Sequence, residues 1–374
     1  MSFALLRERL RNYPGRVRVN HFFRGLRRTG LDLLPSVGPE GRMRVVYGAE
    51  PRSRWAPFSA DALGPLAERA ARDRESTTAE MRVFEGDLTL DSYSRELFDR
   101  RRVIKNSFDL VGRRREPRLS SYLFGPTLNL GEFVSLRGQM DYTYYHFLCD
   151  TMMKVFLAER FAPSSAPFVV HESLARQPFF EEARGLGVFG ARAVVAQGEG
   201  QRFGAGRVWV PTHGEPTRAD LLEIARRFGA DRAPAAPAVR IYLSRGPKAQ
   251  NRRHLRNERA LFEQLRDRGF QFFDAQEHSL TEQIQMFACA EIVVAPHGAG
   301  LANVIWRQTR PMAVVELVNP SMHTLDMAYM SVALGHRHCL VENRGDLGRP
   351  SKSTADADIP AVLARVDEAM AWLA

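Results

Sequence analysis

Two stretches hold the residues best suited to chemistry. The first reads Asp141-Tyr142-Thr143-Tyr144-Tyr145-His146-Phe147-Leu148-Cys149-Asp150. On a helix that Asp141 or Thr143 can cap, His146 and Asp150 stand at i and i+4 and share one face, so the carboxylate can fix the imidazole tautomer and raise its basicity. That is a general-base pair in miniature. The second stretch, EIVVAPHGAGLAN, runs from Glu291 to Asn303. Its apolar run ends at Pro296-His297, turns through Gly298-Ala299-Gly300 and enters an apolar-periodic segment, a pattern of strand, glycine turn and helix. Such a turn suits phosphate, because glycines admit a ligand close to the backbone and the helix start offers N–H groups and a positive dipole end. The competing reading of each is bland: a satisfied core histidine in an aromatic helix, and an N-cap histidine.

The elements that must position these residues follow from periodicity. Beyond residue 238 the pattern predicts strands at 239–243, 270–273, 291–295, 313–317 and 338–341, alternating with helices at 258–268, 281–290, 301–307, 324–334 and 359–373. Five β-α units imply a parallel sheet with helices on both faces and ligands at the carboxyl ends of its strands. At those ends stand Ser244-Arg245-Gly246, then Arg252-Arg253-His254-Leu255-Arg256-Asn257-Glu258, His297 to Gly300, and Glu316. Arginines such as Arg245 and Arg253 can fork onto phosphate oxygens, Asn257 can cap the helix opened by Glu258, and the Glu316 carboxylate can accept from both ribose hydroxyls. With Asn303 in the place of a third glycine and Glu316 downstream, the turn is also one residue short of a dinucleotide fingerprint. An NAD-dependent dehydrogenase is therefore a competitor, weakened because the turn follows the third strand of its domain rather than the first.

Upstream, a strand at 133–136, a helix to residue 161, strands at 168–171, 191–196 and 207–210, and helices at 178–185 and 217–228 build another α/β layer. The Ala/Pro-rich run at 229–237 reads as a linker. Short strands at 43–47, 81–85 and 102–105 and a helix at 59–74 precede this layer and carry no visible chemistry, and Arg113-Arg114-Arg115 reads as a solvated loop. Residues 1–30 alternate apolar residues with arginine, which fits a docked terminal helix or a basic surface helix on anionic lipid.

A length of 374 residues with 44% apolar content accommodates two cores. The net charge of +10 points to an anionic partner, but with Lys105, Lys154, Lys248 and Lys352 the only lysines, the arginine bias is one that GC-rich codon usage alone produces. Cys149, Cys289 and Cys339 lie far apart in apolar segments, which fits neither a disulfide framework nor a zinc knuckle and points to a reducing cytosol. No run of 18 apolar residues and no signal peptide is present, so a soluble or peripheral protein is expected.

At these residues the sequence resembles family 61 glycosyltransferases, over roughly residues 133–320 and most strongly from Val239 onward. The ordered segments IYLSR, RHLRNE, GFQFFDAQEHSLTEQIQMFACAEIVVAPHGAGLANVIW and VVEL carry the likeness. YYHFLCD is similar to the family's acceptor-side helix, with His146 and Asp150 on the matching positions, although Phe147 stands where an indole is usual and Met153-Lys154 where Pro-Arg is common.

The resemblance implies an α/β, GT-B-like architecture, two Rossmann-like domains facing a cleft; residues 1–130 show no match to the family and are read as an N-terminal α+β extension. Residues 1–130 would be that extension packed on the acceptor domain, 131–229 the acceptor-side domain, 230–238 the linker and 239–374 the donor domain, with the last helix one that can cross back. The implied reaction is inverting transfer of a hexosyl or pentosyl group from a nucleotide sugar to a glycan or glycolipid, in bacterial surface polysaccharide synthesis, with no cofactor and no metal. Arg245, Arg253 and the helix start after Gly298-Ala299-Gly300 would stabilise the leaving phosphate, and His297 would bond the phosphate or donor sugar. Glu316 would hold the ribose, Asn257, Glu258 and Asn303 complete the donor set, and His146 or Asp150 supplies the base. Asp356-Ala357-Asp358 spells a metal-binding DxD but reads better as helix-capping carboxylates. No nucleic-acid partner is expected and the oligomeric state stays open. The expected location is the cytoplasm, with residues 1–30 able to touch the cytosolic face of the inner membrane. A nucleotide-sugar epimerase or a non-catalytic nucleotide-sugar-binding protein remains the alternative.

Overall fold

The strands Val239–Ser244, Phe270–Asp274, Ala290–Pro296, Ala313–Val318 and Arg337–Glu342 are near-continuous apolar runs, the composition of a sheet covered on both faces. All pair in parallel, in the spatial order second, first, third, fourth, fifth. Alternate residues serve opposite faces. Tyr242, Ile292, Val294 and Val315 pack with Leu261 and Leu265 of helix Glu258–Arg266 and Val362 and Val366 of helix Ile359–Leu373. Ile241, Leu243, Val293 and Val314 face the other way, against Ile284 and Phe287 of helix Leu280–Cys289 and Ala328 of helix Asp326–Ala333. The last helix therefore lies on its own sheet.

The computed structural model describes residues 36–37, 41–49, 52–53, 76–99, 102–104, 107, 125–138, 140, 142–232, 237–246, 254–320, 324–345 and 354–374. The surface-helix reading of residues 1–30, the helix at 59–74, Arg113 to Arg115, part of the linker and Arg252-Arg253 fall outside them.

The first sheet is mixed rather than a second all-parallel layer. Strand Arg202–Thr212 runs antiparallel to the long strand Glu80–Asp91 and parallel to Leu128–Ser135, which continues in parallel to Phe168–His171 and then Val194–Gln197. Strands on both sides of residue 130 thus share one sheet. A single buried core joins the two sheets, with the rings of Phe228 and Trp306 5.3 Å apart at their centroids. Aromatic burial of this kind contributes a few kcal/mol per ring and helps bond the two sheets through their shared core.

Local signals explain most element ends. Ser279 with Glu282 and Thr217 with Asp220 form capping boxes, each device typically worth about 1 kcal/mol. Gly335, at φ +85°, ends helix Asp326–Ala333 in the left-handed conformation that side chains resist. Asp358 accepts from Ala361 N at 3.5 Å at the start of the last helix, as a capping carboxylate should. Asp356 instead pairs with Arg256 at 2.7 Å.

Candidate functional site

In a parallel sheet of this order, the strand order reverses between the first and third strands, and a crevice opens there beyond their carboxyl ends. A cavity of about 420 Å³ occupies that place. Arg245, Gly298, Ala299 and Gly300 line it from the second lobe, and Tyr142, Tyr144 and Glu182 from the first. Two bonds tie the lobes at its wall: Tyr144 Oη donates to Asn303 Oδ1 at 2.8 Å, and Leu280 N donates to Glu182 Oε2 at 2.8 Å.

Arg245 leaves the first strand and crosses to the glycine turn, where Nη1 donates to the His297 carbonyl at 2.6 Å. A Cβ on Gly298 would stand 1.9 Å from that nitrogen, so the arginine reaches across only because residue 298 has no side chain. The segment Ala299–Trp306 is a 3₁₀ helix rather than the predicted α-helix. Trp306 Nε1 bonds Asn303 Oδ1 at 2.7 Å, an i, i+3 contact that the eclipsed 3₁₀ geometry favours. The first N–H groups of this helix lack intrahelical acceptors and, with Arg245, form a set of donors at the cavity able to hold an anion.

Four donor-site expectations are corrected. Glu316 is buried inside strand Ala313–Val318, where its oxygens are held by His297 Nδ1 at 2.5 Å and His338 Nε2 at 2.9 Å and no surface is left for a ribose to reach. Asn303 is fully buried and bonded to Tyr144, Trp306 and, through Nδ2, Gln283 at 2.9 Å. Asn257 stands at the N-cap but clamps Ala357, donating to its carbonyl at 2.9 Å and accepting from its N–H at 2.8 Å, and caps nothing with its side chain. Glu258 lies behind the strand end and accepts from Tyr242 Oη at 3.0 Å and Ser244 Oγ at 2.7 Å. His297 keeps only Nε2 for a ligand, and Arg253 falls outside the described residues.

Burial alone would raise the Glu316 pKa, but the charges and hydrogen bonds of His297 and His338 outweigh it and hold the group at about 2. Ser331 Oγ, 3.0 Å from His338 Nδ1, closes the far end of this chain. Its physical effect is to fix the ring of His297 at the edge of the glycine turn.

The tyrosine-rich helix begins as Tyr144–His146, widens to a π-helical turn over Phe147–Thr151 and resumes as Met152–Phe161. Thr143 occupies the N-cap, yet its hydroxyl donates back to Met140 O at 3.1 Å. The π turn carries Asp150, and such turns recur where a side chain must be re-aimed. His146 Nδ1 lies 2.6 Å from Asp150 Oδ2, as the spacing foretold. His213, just past strand Arg202–Thr212, brings Nε2 to 3.5 Å from the other carboxylate oxygen. The side chains of His146, Asp150 and His213 remain 29%, 19% and 10% exposed. Burial works to raise the Asp150 pKa, but the charge of His213 and the bond and charge of His146 prevail, with help from Lys154, and hold it below its ordinary value. Lys154 is itself buried, its ammonium donating to Arg137 O at 3.1 Å.

Asp150 is thus an ionised carboxylate that orients His146, whose Nε2 has no protein partner among the described residues. The pair does not line the cavity itself; it stands on the turn that follows the wall residues Tyr142 and Tyr144. Sequence reasoning missed His213, Lys154 and His338. His213 lies three residues past the end of the predicted strand at 207–210, Lys154 was marked only by standing where the family's Pro-Arg is common, and His338 had no signal.

Residues 144–315 match the family model described as Glycosyltransferase 61. The match begins at Tyr144 and takes in the His146–Asp150 helix, Arg245 and the glycine turn. No curated protein matches the chain.

Proposed function

We propose that the chain, whose residues 144–315 match the Glycosyltransferase 61 model, acts as a glycosyltransferase of that family, moving a glycosyl group with inversion from a nucleoside diphosphate sugar in the switch-point cavity to an acceptor hydroxyl activated by His146. Transfer requires a nucleotide-sugar donor and an acceptor, and the two halves of the site divide that work. The diphosphate lies against Arg245 and the N–H groups after Gly298, while the acceptor approaches from the side of the tyrosine-rich helix. In the step, the acceptor oxygen attacks the anomeric carbon and its proton passes to His146 Nε2. The bond from that carbon to the phosphate oxygen breaks, its electron pair stays on the nucleoside diphosphate, and the new glycosidic bond forms on the opposite face. Asp150 keeps the His146 tautomer and stabilises the imidazolium. Arg245 and the turn meet the charge that develops on the leaving group, where one lost donor typically lowers turnover about a hundredfold or more.

The observation that carries this reading is the 2.6 Å bond from His146 to an ionised Asp150, on the helix whose start walls the cavity containing Arg245. A GT-B-like division of labour between the lobes accommodates it. Arginine-rich composition supports a bacterial setting, with a surface glycan or glycolipid as the acceptor class. Among the described residues no helix is long and apolar enough to cross a membrane. The test is to incubate the purified chain with a panel of nucleotide sugars and measure free nucleotide with and without glycan acceptors. Acceptor-dependent release, abolished in Arg245→Ala, is the expected result. Isomerised donor without acceptor would instead favour an epimerase, and binding without any turnover a non-catalytic binding protein.

A further inference from the structure

The carboxyl ends of the second, first and third strands form a row, because neighbouring parallel strands lie side by side. Asp274 pairs with Ser244 at the end of the second strand, Arg245 and Gly246 follow the first, and Gly298 follows the third. With about 4.8 Å between strands, the row spans about 10 Å and reads carboxylate, guanidinium, glycine turn. Asp274 lines the same cavity as Arg245 and the turn.

Two contacts fix the Asp274 side chain. Oδ1 accepts from Gln276 N at 3.0 Å, which locks the carboxylate at the start of the short turn Ala275–Glu277. Oδ2 lies over Gly246, where an added Cβ would stand only 1.8 Å from it, so the carboxylate leans across the backbone that leads from Arg245. Among the described residues no cation pairs with Asp274, and the residue is only half-buried. A half-buried carboxylate with an open oxygen, held beside an anion-binding arginine, has no role in binding phosphate itself. It suits a neutral donor of hydroxyl groups attached to that phosphate.

Resting on the nucleotide-sugar reading of this cavity, we infer that Asp274 is the carboxylate that accepts hydrogen bonds from the donor's ribose hydroxyls, the place that sequence expectation gave to Glu316. The row then matches the covalent order of the ligand, with ribose at Asp274, diphosphate at Arg245 and the glycosyl group past the glycine turn. The cavity selects ribonucleoside diphosphates over their deoxy forms.

The test titrates uridine, guanosine, cytidine and adenosine diphosphates into the purified chain by calorimetry, then repeats the tightest as its 2′,3′-dideoxy form. Loss of the hydroxyls should weaken binding to the unaltered chain about tenfold to a hundredfold. Asp274→Ala should bind the ribo form as weakly as that and no longer tell the two forms apart, with the fold retained and the melting temperature lowered by no more than the loss of one cap. Equal binding of both forms by the unaltered chain, or full discrimination retained in Asp274→Ala, overturns the inference without touching the cavity assignment. If no nucleoside diphosphate binds, or Arg245→Ala binds as well as the unaltered chain, the nucleotide reading fails first and takes this one with it.

Discussion

Asp150 and Glu316 are built alike and placed differently. Each is a carboxylate held between two histidines, His146 and His213 in the first lobe, His297 and His338 in the second. Each is held below its ordinary pKa against the opposing pull of burial. The difference is water. The first group keeps partial exposure on all three side chains, whereas in the second only the His297 ring edge is reached, at 10%, with Glu316 2% exposed and His338 not exposed at all. A histidine that can meet a substrate can exchange a proton with it, and one sealed in a core can only hold its neighbour in place. On the proposed reaction, residue type and pairing do not separate base from buttress; access does.

The comparison breaks most sharply if the two carboxylates are exchanged for uncharged residues. Asp150→Asn should lower turnover about a hundredfold to ten-thousandfold, the usual worth of general-base catalysis, with nucleotide affinity and melting temperature little changed. Glu316→Ala should do the reverse, costing about 3–5 kcal/mol of stability by leaving two buried histidines without their anion. Denaturant melts and single-turnover rates on both variants decide the matter. A stable, inactive Glu316→Ala would assign the chemistry to the wrong carboxylate.

The buried side of the comparison can be sharpened by pH. His336 is a third histidine of the second lobe; Met312 N donates to its Nδ1 at 3.4 Å and its Nε2 faces Val304 O at 3.2 Å. Burial, with Arg307 and Arg218 nearby, lowers its pKa from the ordinary 6.5 to about 4. A depressed histidine resists protonation only when folded, so its stability contribution is complete above pH 6.5 and is lost as pH falls toward 4, a loss of about 3 kcal/mol. Glu316 follows in a lower window, losing its contribution as pH falls from the ordinary 4.5 to about 2. His336→Gln, which can keep both bonds, should flatten the denaturation midpoint across the upper window and leave the lower one unchanged.

How much of this was legible in the sequence depends on the range of the interaction that decides it. Strand Phe168–His171 and helices Pro178–Gly185 and Ile359–Leu373 fall where periodicity, Pro and Gly placed them, and the His146–Asp150 contact follows from spacing alone. Arg245 beside the glycine turn was legible because strand ends in a parallel sheet share an edge. Glu316 was misread because the fourth strand runs on to Val318, so a residue taken for a strand end is interior. Its histidines arrive from the third and fifth strands, which no local pattern pairs. The first sheet mixes strand directions because Glu80–Asp91 enters it from a segment whose sequence shows only short strands. The π turn at Asp150 likewise has no composition of its own.

Between the lobes, the glycine turn offers a smaller test. Gly298→Ala places a methyl 1.9 Å from Arg245 Nη1, the mobile end of a long side chain, so the fold should survive while the arginine gives way. Affinity for a nucleoside diphosphate should fall about tenfold, roughly one charge-assisted hydrogen bond, with no change in the His146 side of the site. Calorimetry with the variant measures this, and unchanged affinity would remove Arg245 from the anion site.

The smallest effect concerns the third member of the open cluster. His213 sits 3.5 Å from Asp150 Oδ1, beyond a strong hydrogen bond, and acts chiefly through its charge and position. Asp150 keeps His146 and Lys154 when His213 is removed, so His213→Gln should lower turnover only about threefold to tenfold near neutral pH, a small part of a general-base factor. The sign of its pH dependence is the sharper readout. Without His213, burial is opposed by fewer charges, the Asp150 pKa rises, and the carboxylate is protonated at higher pH as the solution is acidified. The acid limb of the turnover profile should therefore move upward in pH in His213→Gln while nucleotide affinity stays fixed. Removing His338 from the buried cluster should move no such limb and should instead lower the melting temperature, because its partner Glu316 orients a residue and exchanges no proton with the acceptor.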